Sequence, residues 1–189
     1  MGLFGNSHET VYVGLGSNLG DRAGNLLLAI RGLLEAAFEV RRLSAIYETE
    51  PVGMQSPDKF LNMAVECSVT NVTPTQAMAR MLRIEYILGR GDKSVKAPRT
   101  VDLDILFFGD RTLESEFLTL PHPRLHLRKF VLVPLAEIAP NVVHPKLGLS
   151  VSELLADCSD ESEVVRWQPS MSVPSDAEES YQTLRSIIG

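Results

Sequence analysis

Residues 99–108, RTVDLDILFF, are the strongest strand signal in the chain and carry two carboxylates in an otherwise apolar run. Side chains two apart in a strand project from one face, so Asp102 and Asp104 look the same way, their Cα atoms about 6.5–7 Å apart. Two unit charges at that distance repel by roughly 2 kcal/mol at an effective dielectric of about 20. The pair therefore wants a compensating cation. Oxygen donors of this kind favour Mg²⁺, which keeps waters and completes its octahedron with phosphate oxygens. The plain alternative is an edge strand with a solvated polar face; Asp is depleted in strands, and the neighbouring residues shift the balance toward metal.

Around this strand the pattern reads βαββαβ. Val11, Val13 and Leu15 alternate in a strand over residues 10–16, and Asp21 caps a helix whose face is Leu26, Leu27, Ile30, Leu33, Leu34 and Ala37. Residues 40–49 are strand-like, and the Pro- and Gly-bearing residues 50–57 form a loop. From Phe60 a third strand puts Leu61, Met63, Val65, Cys67 and Val69 on a core face, leaving Phe60, Asn62, Ala64 and Glu66 on the other. Thr73-Pro74-Thr75-Gln76 then reads as N-cap, first-turn proline and capping-box glutamine for a helix ending at Gly89. This order predicts an α+β, ferredoxin-like core: an antiparallel sheet with helices on one face and the other face free for a site. C-terminal additions follow, namely a short strand over residues 111–113 and helices near residues 131–138 and 151–157. Residues 1–9 are expected to be an extension, 10–167 one domain and 168–189 a tail.

Composition narrows the function. With 44% hydrophobic and 22% charged residues the chain is globular, and no apolar run approaches the ~20 residues that span a bilayer. The N-terminus lacks the features of a secretory signal, so a cytoplasmic protein without membrane partners is expected. A net charge of −6 opposes loose nucleic-acid binding. Cys67 and Cys158 are far apart and outside any CxxC pattern, which disfavours disulfide and zinc frameworks. In Gly14-Leu15-Gly16-Ser17-Asn18-Leu19-Gly20 the third glycine falls one position late for GxGxxG, and no Gly-Lys-Ser/Thr occurs, so neither Rossmann nor P-loop site is supported.

Positive charge is local. Arg90, Lys93, Lys96 and Arg99, opposed only by Asp92, suit a phosphate-binding lid or else a solvated loop. His122, Arg124, His126, Arg128 and Lys129 follow Pro121 and could seat a nucleotide; a helix-face zinc pair of His122 and His126 is opposed by Pro121 and Pro123. Phe60 and Asn62 offer a ring face and an amide edge to a flat heterocycle, unless they simply pack.

Taken together, residues 13–21 (VGLGSNLGD), Tyr47-Glu48-Thr49 with Gly53 and Phe60-Leu61-Asn62, residues 98–106 (PRTVDLDIL), and Pro121-His122-Pro123-Arg124 with Phe130-Val131-Leu132 resemble the 6-hydroxymethyl-7,8-dihydropterin pyrophosphokinases of folate biosynthesis. The resemblance spans about residues 10–167 and implies a ferredoxin-like fold. It implies transfer of pyrophosphate from MgATP to the pterin hydroxymethyl oxygen, with release of AMP. By the same match, Asp102 and Asp104 would hold two Mg²⁺ ions, and Arg90 and Arg99 would stabilise the charge in transit. Phe60 and Phe130 would sandwich the pterin, whose edge Asn62 reads with Thr49, Val52 and Gly53. Glu85, Arg99, Thr119, His122, Pro123 and Arg128 would contact ATP. A monomer acting on these two small molecules is expected. Lys96-Ala97 stand where the family commonly has Trp-Gly, and the tail after Trp167 has no counterpart. A binding module without turnover and a nucleotidyltransferase releasing pyrophosphate are the rival readings, and the nucleotide product separates all three.

Overall fold

The computed structural model describes residues 7–50, 59–89 and 100–169. Alternation in the first segment reaches further than expected: β1 runs His8–Ser17, beginning inside the stretch expected to be an extension. Asp21 caps α1 (Arg22–Glu35), its carboxylate accepting the Gly24 N–H at 2.9 Å. The single strand expected over residues 40–49 is two, β2 (Glu39–Leu43) and β3 (Tyr47–Thr49), both antiparallel to β4 (Phe60–Thr70). They part at buried Ser44, whose N–H donates to the Ala64 carbonyl while its hydroxyl accepts the Ala64 N–H. The interruption is thus bonded on both sides, which is what a buried break requires.

Thr73 opens α2 (Pro74–Ile87) with the full reciprocal capping box to Gln76. Beyond residues 90–99, which lie outside the described part, β5 (Asp102–Phe108) forms the sheet edge. A hairpin of β6 (Leu113–Glu114) and β7 (Thr119–Leu120) follows, with a cis Leu120–Pro121 bond, then a 3-10 turn at Leu125–Leu127, α3 (Lys129–Ile138) and α4 (Val151–Ala156). The short strand expected at residues 111–113 is shifted onto β6.

The sheet order is β5–β1–β4–β3–β8, with β2 also on β4 and every pairing antiparallel; β8 is Val164–Arg166. One face carries Val11, Val13, Leu15, Met63, Val65, Leu103 and Ile105, and α1 and α2 bury it with Leu26, Ala29, Leu33, Ala77 and Met81. The expectation that helices cover only this face is corrected. Tyr12, Ala64, Leu106 and Phe107 give the opposite face an apolar patch of its own, and α3 and α4 bury it through Leu132, Leu135, Ile138, Val151 and Leu154.

Between β1 and β5 the register slips by one. Tyr12 pairs Phe107, yet Val13 pairs Ile105, so Leu106 is the extra residue of a bulge. Leu106 and Phe107 consequently both face α3 and α4, and residues before and after the bulge alternate in opposite phase.

Candidate active site

Where α3 and α4 stop, the second sheet face is open, and the strands decide what it shows. In β1 the residues on that face are Gly14 and Gly16, which pair Asp104 and Asp102 on one side and Ala64 and Asn62 on the other. Glycine leaves a bare backbone floor there. A Cβ on Gly16 would lie 3.2 Å from Asn62 Oδ1, and one on Gly14 3.3 Å from the Leu106 side chain. The cleft above this floor, about 210 Å³, is lined by Thr49, Phe60, Asn62, Asp102, Asp104, Arg124, Arg128 and Phe130. A second cleft of about 220 Å³ is lined by Thr119, His122 and Pro123, among others, and Asp104 belongs to its wall as well.

The two clefts differ in character. Phe60 opens β4 and Phe130 sits in the first turn of α3; between them Asn62, only 6% exposed, donates from Nδ2 to Thr49 Oγ1 at 2.8 Å. A buried amide tied down by one of its groups presents a fixed edge to a planar ring. The start of α3 is itself anchored: Asp160 Oδ2 accepts the Lys129 N–H at 2.9 Å. Arg128 lies over the Phe130 ring, 5.6 Å from its centroid, so one guanidinium joins the aromatic wall to the charged end of the site.

His122 stands at that charged end. Burial pushes its pKa down to about 4, helped by the Arg128 and Arg124 charges and opposed by Asp102. Its Nδ1 accepts the Arg124 N–H at 3.2 Å, so the neutral ring keeps its proton on Nε2 and is a donor at pH 7. The unfolded chain takes up a proton near pH 6.5, the folded one only near pH 4. The folded-state pKa being the lower, stability is full above about pH 6.5 and falls as pH drops from there to about 4, by at most about 3 kcal/mol. Urea unfolding at pH 7.5 and 4.5 is expected to show this loss, and His122→Gln to remove most of it.

Asp102 and Asp104 fit a hard divalent cation: two carboxylates on one face, at the junction of two clefts, over a floor with no side chain. Among the described residues no group of three or more His, Cys, Asp or Glu side chains is placed to hold a metal.

The structure thus brings together Thr49, Phe60, Asn62, Asp102, Asp104, Arg128 and Phe130 in one cleft, and Asp104, Thr119, His122 and Pro123 in the other. Glu85 lines neither. It is 2% exposed on α2, and its Oε1 accepts the Leu103 N–H at 2.8 Å, between the two aspartates on the outer edge of β5. Arg90, Arg99, Val52 and Gly53, with Lys93 and Lys96, lie outside the described residues. Gly14, Gly16 and Arg124 line the cleft without having been singled out as site residues, although all three fall in motifs that carry the resemblance.

The family described as 7,8-dihydro-6-hydroxymethylpterin-pyrophosphokinase (HPPK) matches residues 12–140. The 2-amino-4-hydroxy-6-hydroxymethyldihydropteridine pyrophosphokinase of Bacillus subtilis is 47% identical over 136 residues, 71% of this chain and 81% of that protein. The Aquifex aeolicus protein of the same name is 38% identical over 136 residues, covering 72% and 84%. Longer relatives carry the same region: the chain spans 25% of a mitochondrial folate synthesis bifunctional protein of Pisum sativum, at 38% identity. Among solved structures, Plasmodium falciparum HPPK-DHPS superposes with a TM-score of 0.64 at 16% identity, over 82% of this chain and 45% of that one, a likeness of fold. With a match to two thirds of its length and relatives this similar, the chain belongs to the HPPK family.

Proposed function

We propose that this chain transfers the pyrophosphoryl group of MgATP to the hydroxymethyl oxygen of 6-hydroxymethyl-7,8-dihydropterin, releasing AMP, as a step of folate synthesis. One observation carries the reading: Asp104 is a shared wall of an aromatic cleft and a His- and Thr-lined one, which is where a transferring group must sit between two substrates. Family membership supports it. The strand order and alternation of helices support a ferredoxin-like assignment of the fold, with residues 10–167 as the catalytic domain.

Phe60 and Phe130 hold the pterin ring between them, and Asn62, fixed by Thr49, reads its edge, with Val52 and Gly53 completing that side. Thr119, His122, Pro123 and Arg128 hold ATP, His122 as a neutral donor from Nε2. Asp102 and Asp104 would hold two Mg²⁺ ions, which when bound neutralise the triphosphate and raise the electrophilicity of its β-phosphorus. The hydroxymethyl oxygen then bonds to that phosphorus, the bond from it to the α-phosphate bridging oxygen breaks, AMP leaves, and the hydroxyl proton passes to solvent or to a carboxylate of the pair. Arg90 and Arg99 stabilise the charge in transit, and Glu85 serves the same end by fixing the strand between the aspartates. Positioning and electrostatics supply the rate. The protein acts in the cytoplasm as a monomer; among its described residues no helix is long and apolar enough to cross a membrane.

With Mg²⁺, ATP and the dihydropterin, chromatography is expected to show AMP and the pterin pyrophosphate in equal amounts. ADP, or free pyrophosphate, as the product would overturn the assignment. Phe60→Ala is expected to raise KM for the pterin about tenfold while KM for ATP holds, the loss of one stacking face.

A further inference from the structure

Arg22 is the first residue of α1, directly after the Asp21 cap. Its Nη1 donates to the Lys59 carbonyl at 2.8 Å and forms an ion pair with Glu48 Oε1 at 3.0 Å, so a single terminal nitrogen meets two separate chain segments. Those partners are not arbitrary. Glu48 precedes Thr49, Lys59 precedes Phe60, and Thr49 and Phe60 are register partners across β3 and β4. Both side chains of the Arg22–Glu48 pair are about a quarter exposed (27% and 28%), whereas the neighbouring Lys59–Glu50 pair is 47% and 60% exposed and correspondingly screened.

At its other end Arg22 is tied to the floor. The turn from β1 into α1 is fixed by Asn25, whose Nδ2 donates to the Leu19 carbonyl at 2.8 Å and to Ser17 Oγ at 3.3 Å. Ser17 follows Gly16, and Gly16 is the bare floor under Asn62 and Phe60. The β3–β4 ladder already joins the two strands of the wall, and α1 packs its apolar face on β4 below; the Arg22 contacts add a polar tie between the edge of that wall and the start of the helix.

We infer that Arg22 is a positioning residue for the aromatic cleft: by holding the Glu48 carboxylate and the Lys59 carbonyl against the start of α1, it sets the height of Phe60 and Thr49 above Gly16, and so governs pterin affinity without touching the nucleotide. The inference rests on reading that cleft as the pterin site.

Steady-state kinetics on the full chain, with each substrate varied in turn, test it. Arg22→Met is expected to raise KM for the dihydropterin roughly tenfold, the loss of one charge-assisted hydrogen bond, with kcat and KM for ATP within about twofold. Arg22→Lys, which keeps the charge and two donors, is expected to recover most of the affinity. Glu48→Gln, which leaves the arginine in place, is expected to show the same selective rise in smaller measure, and decides the matter should Arg22→Met not fold. An unchanged pterin KM in a folded Arg22→Met or in Glu48→Gln, or an equal decline of both KM values and kcat, would overturn the inference alone. Failure of the unsubstituted chain to form AMP would overturn the functional reading first, and this inference with it.

Discussion

Asp104→Asn should retain the fold and lose AMP formation by about 10²–10³-fold in kcat, the usual cost of removing one preorganised electrostatic group from a site of developing charge. Asp102→Asn should do nearly the same, and the double variant little worse than either, because the two carboxylates act as one clamp. Stability is expected to stay within a few degrees of Tm. Both residues are partly exposed on the open sheet face, so neither change leaves a cavity. Quenched-flow measurement of AMP, beside thermal melts, checks both halves; an Asp104→Asn enzyme within threefold of the wild type in kcat would remove the metal assignment.

Gly16→Val should cost at least about 100-fold in kcat/KM for the pterin and almost nothing in KM for ATP, as expected when reacting groups are displaced by an ångström or more. The backbone at Gly16 is ordinary extended strand, and valine's better strand propensity partly offsets the tight contact with Asn62, so the melting temperature should fall by no more than a few degrees. The effect is therefore confined to the cleft. The added Cβ meets Asn62 Oδ1 at 3.2 Å and the Phe60 ring at 4.0 Å, and two further methyl groups add bulk to the same cleft. Calorimetric titration with pterin, and separately with a nonhydrolysable ATP analogue, reads the split; equal loss of both ligands would mean that the glycine supports the fold rather than the cleft.

What could be read in the sequence was what repeats locally. Thr73 and Gln76 stand three apart and bond as a capping box does; Asp102 and Asp104 stand two apart and share a face because a strand has a period of two. Gly16 as a site residue is not legible there for the opposite reason. A missing side chain has meaning only once β4 and β5 flank it, and no pattern within residues 14–20 says which strands will. The apolar stripes of α3 and α4 mark them as helices, yet nothing in them chooses a sheet face; Tyr12, Leu106 and Phe107 chose it. The resemblance implies an ATP contact for Glu85; the hydrogen bond from its carboxylate to a backbone N–H of the edge strand is a partner that sequence spacing does not display. The break at Ser44 and the three-residue β8 were below the length at which periodicity distinguishes anything.

The extra residue at Leu106 has a genetic consequence. It acts as a phase shifter: upstream of it even-numbered side chains point to the solvent cleft, and downstream the odd-numbered Phe107 takes that direction while Phe108 turns to the α1–α2 core. Removing a single codon there would force the strand to sacrifice one half, either swinging Asp102 and Asp104 into oil or prising Phe107 and Phe108 out of their layers. Another apolar side chain at position 106 should therefore be tolerated, whereas loss of the position should not.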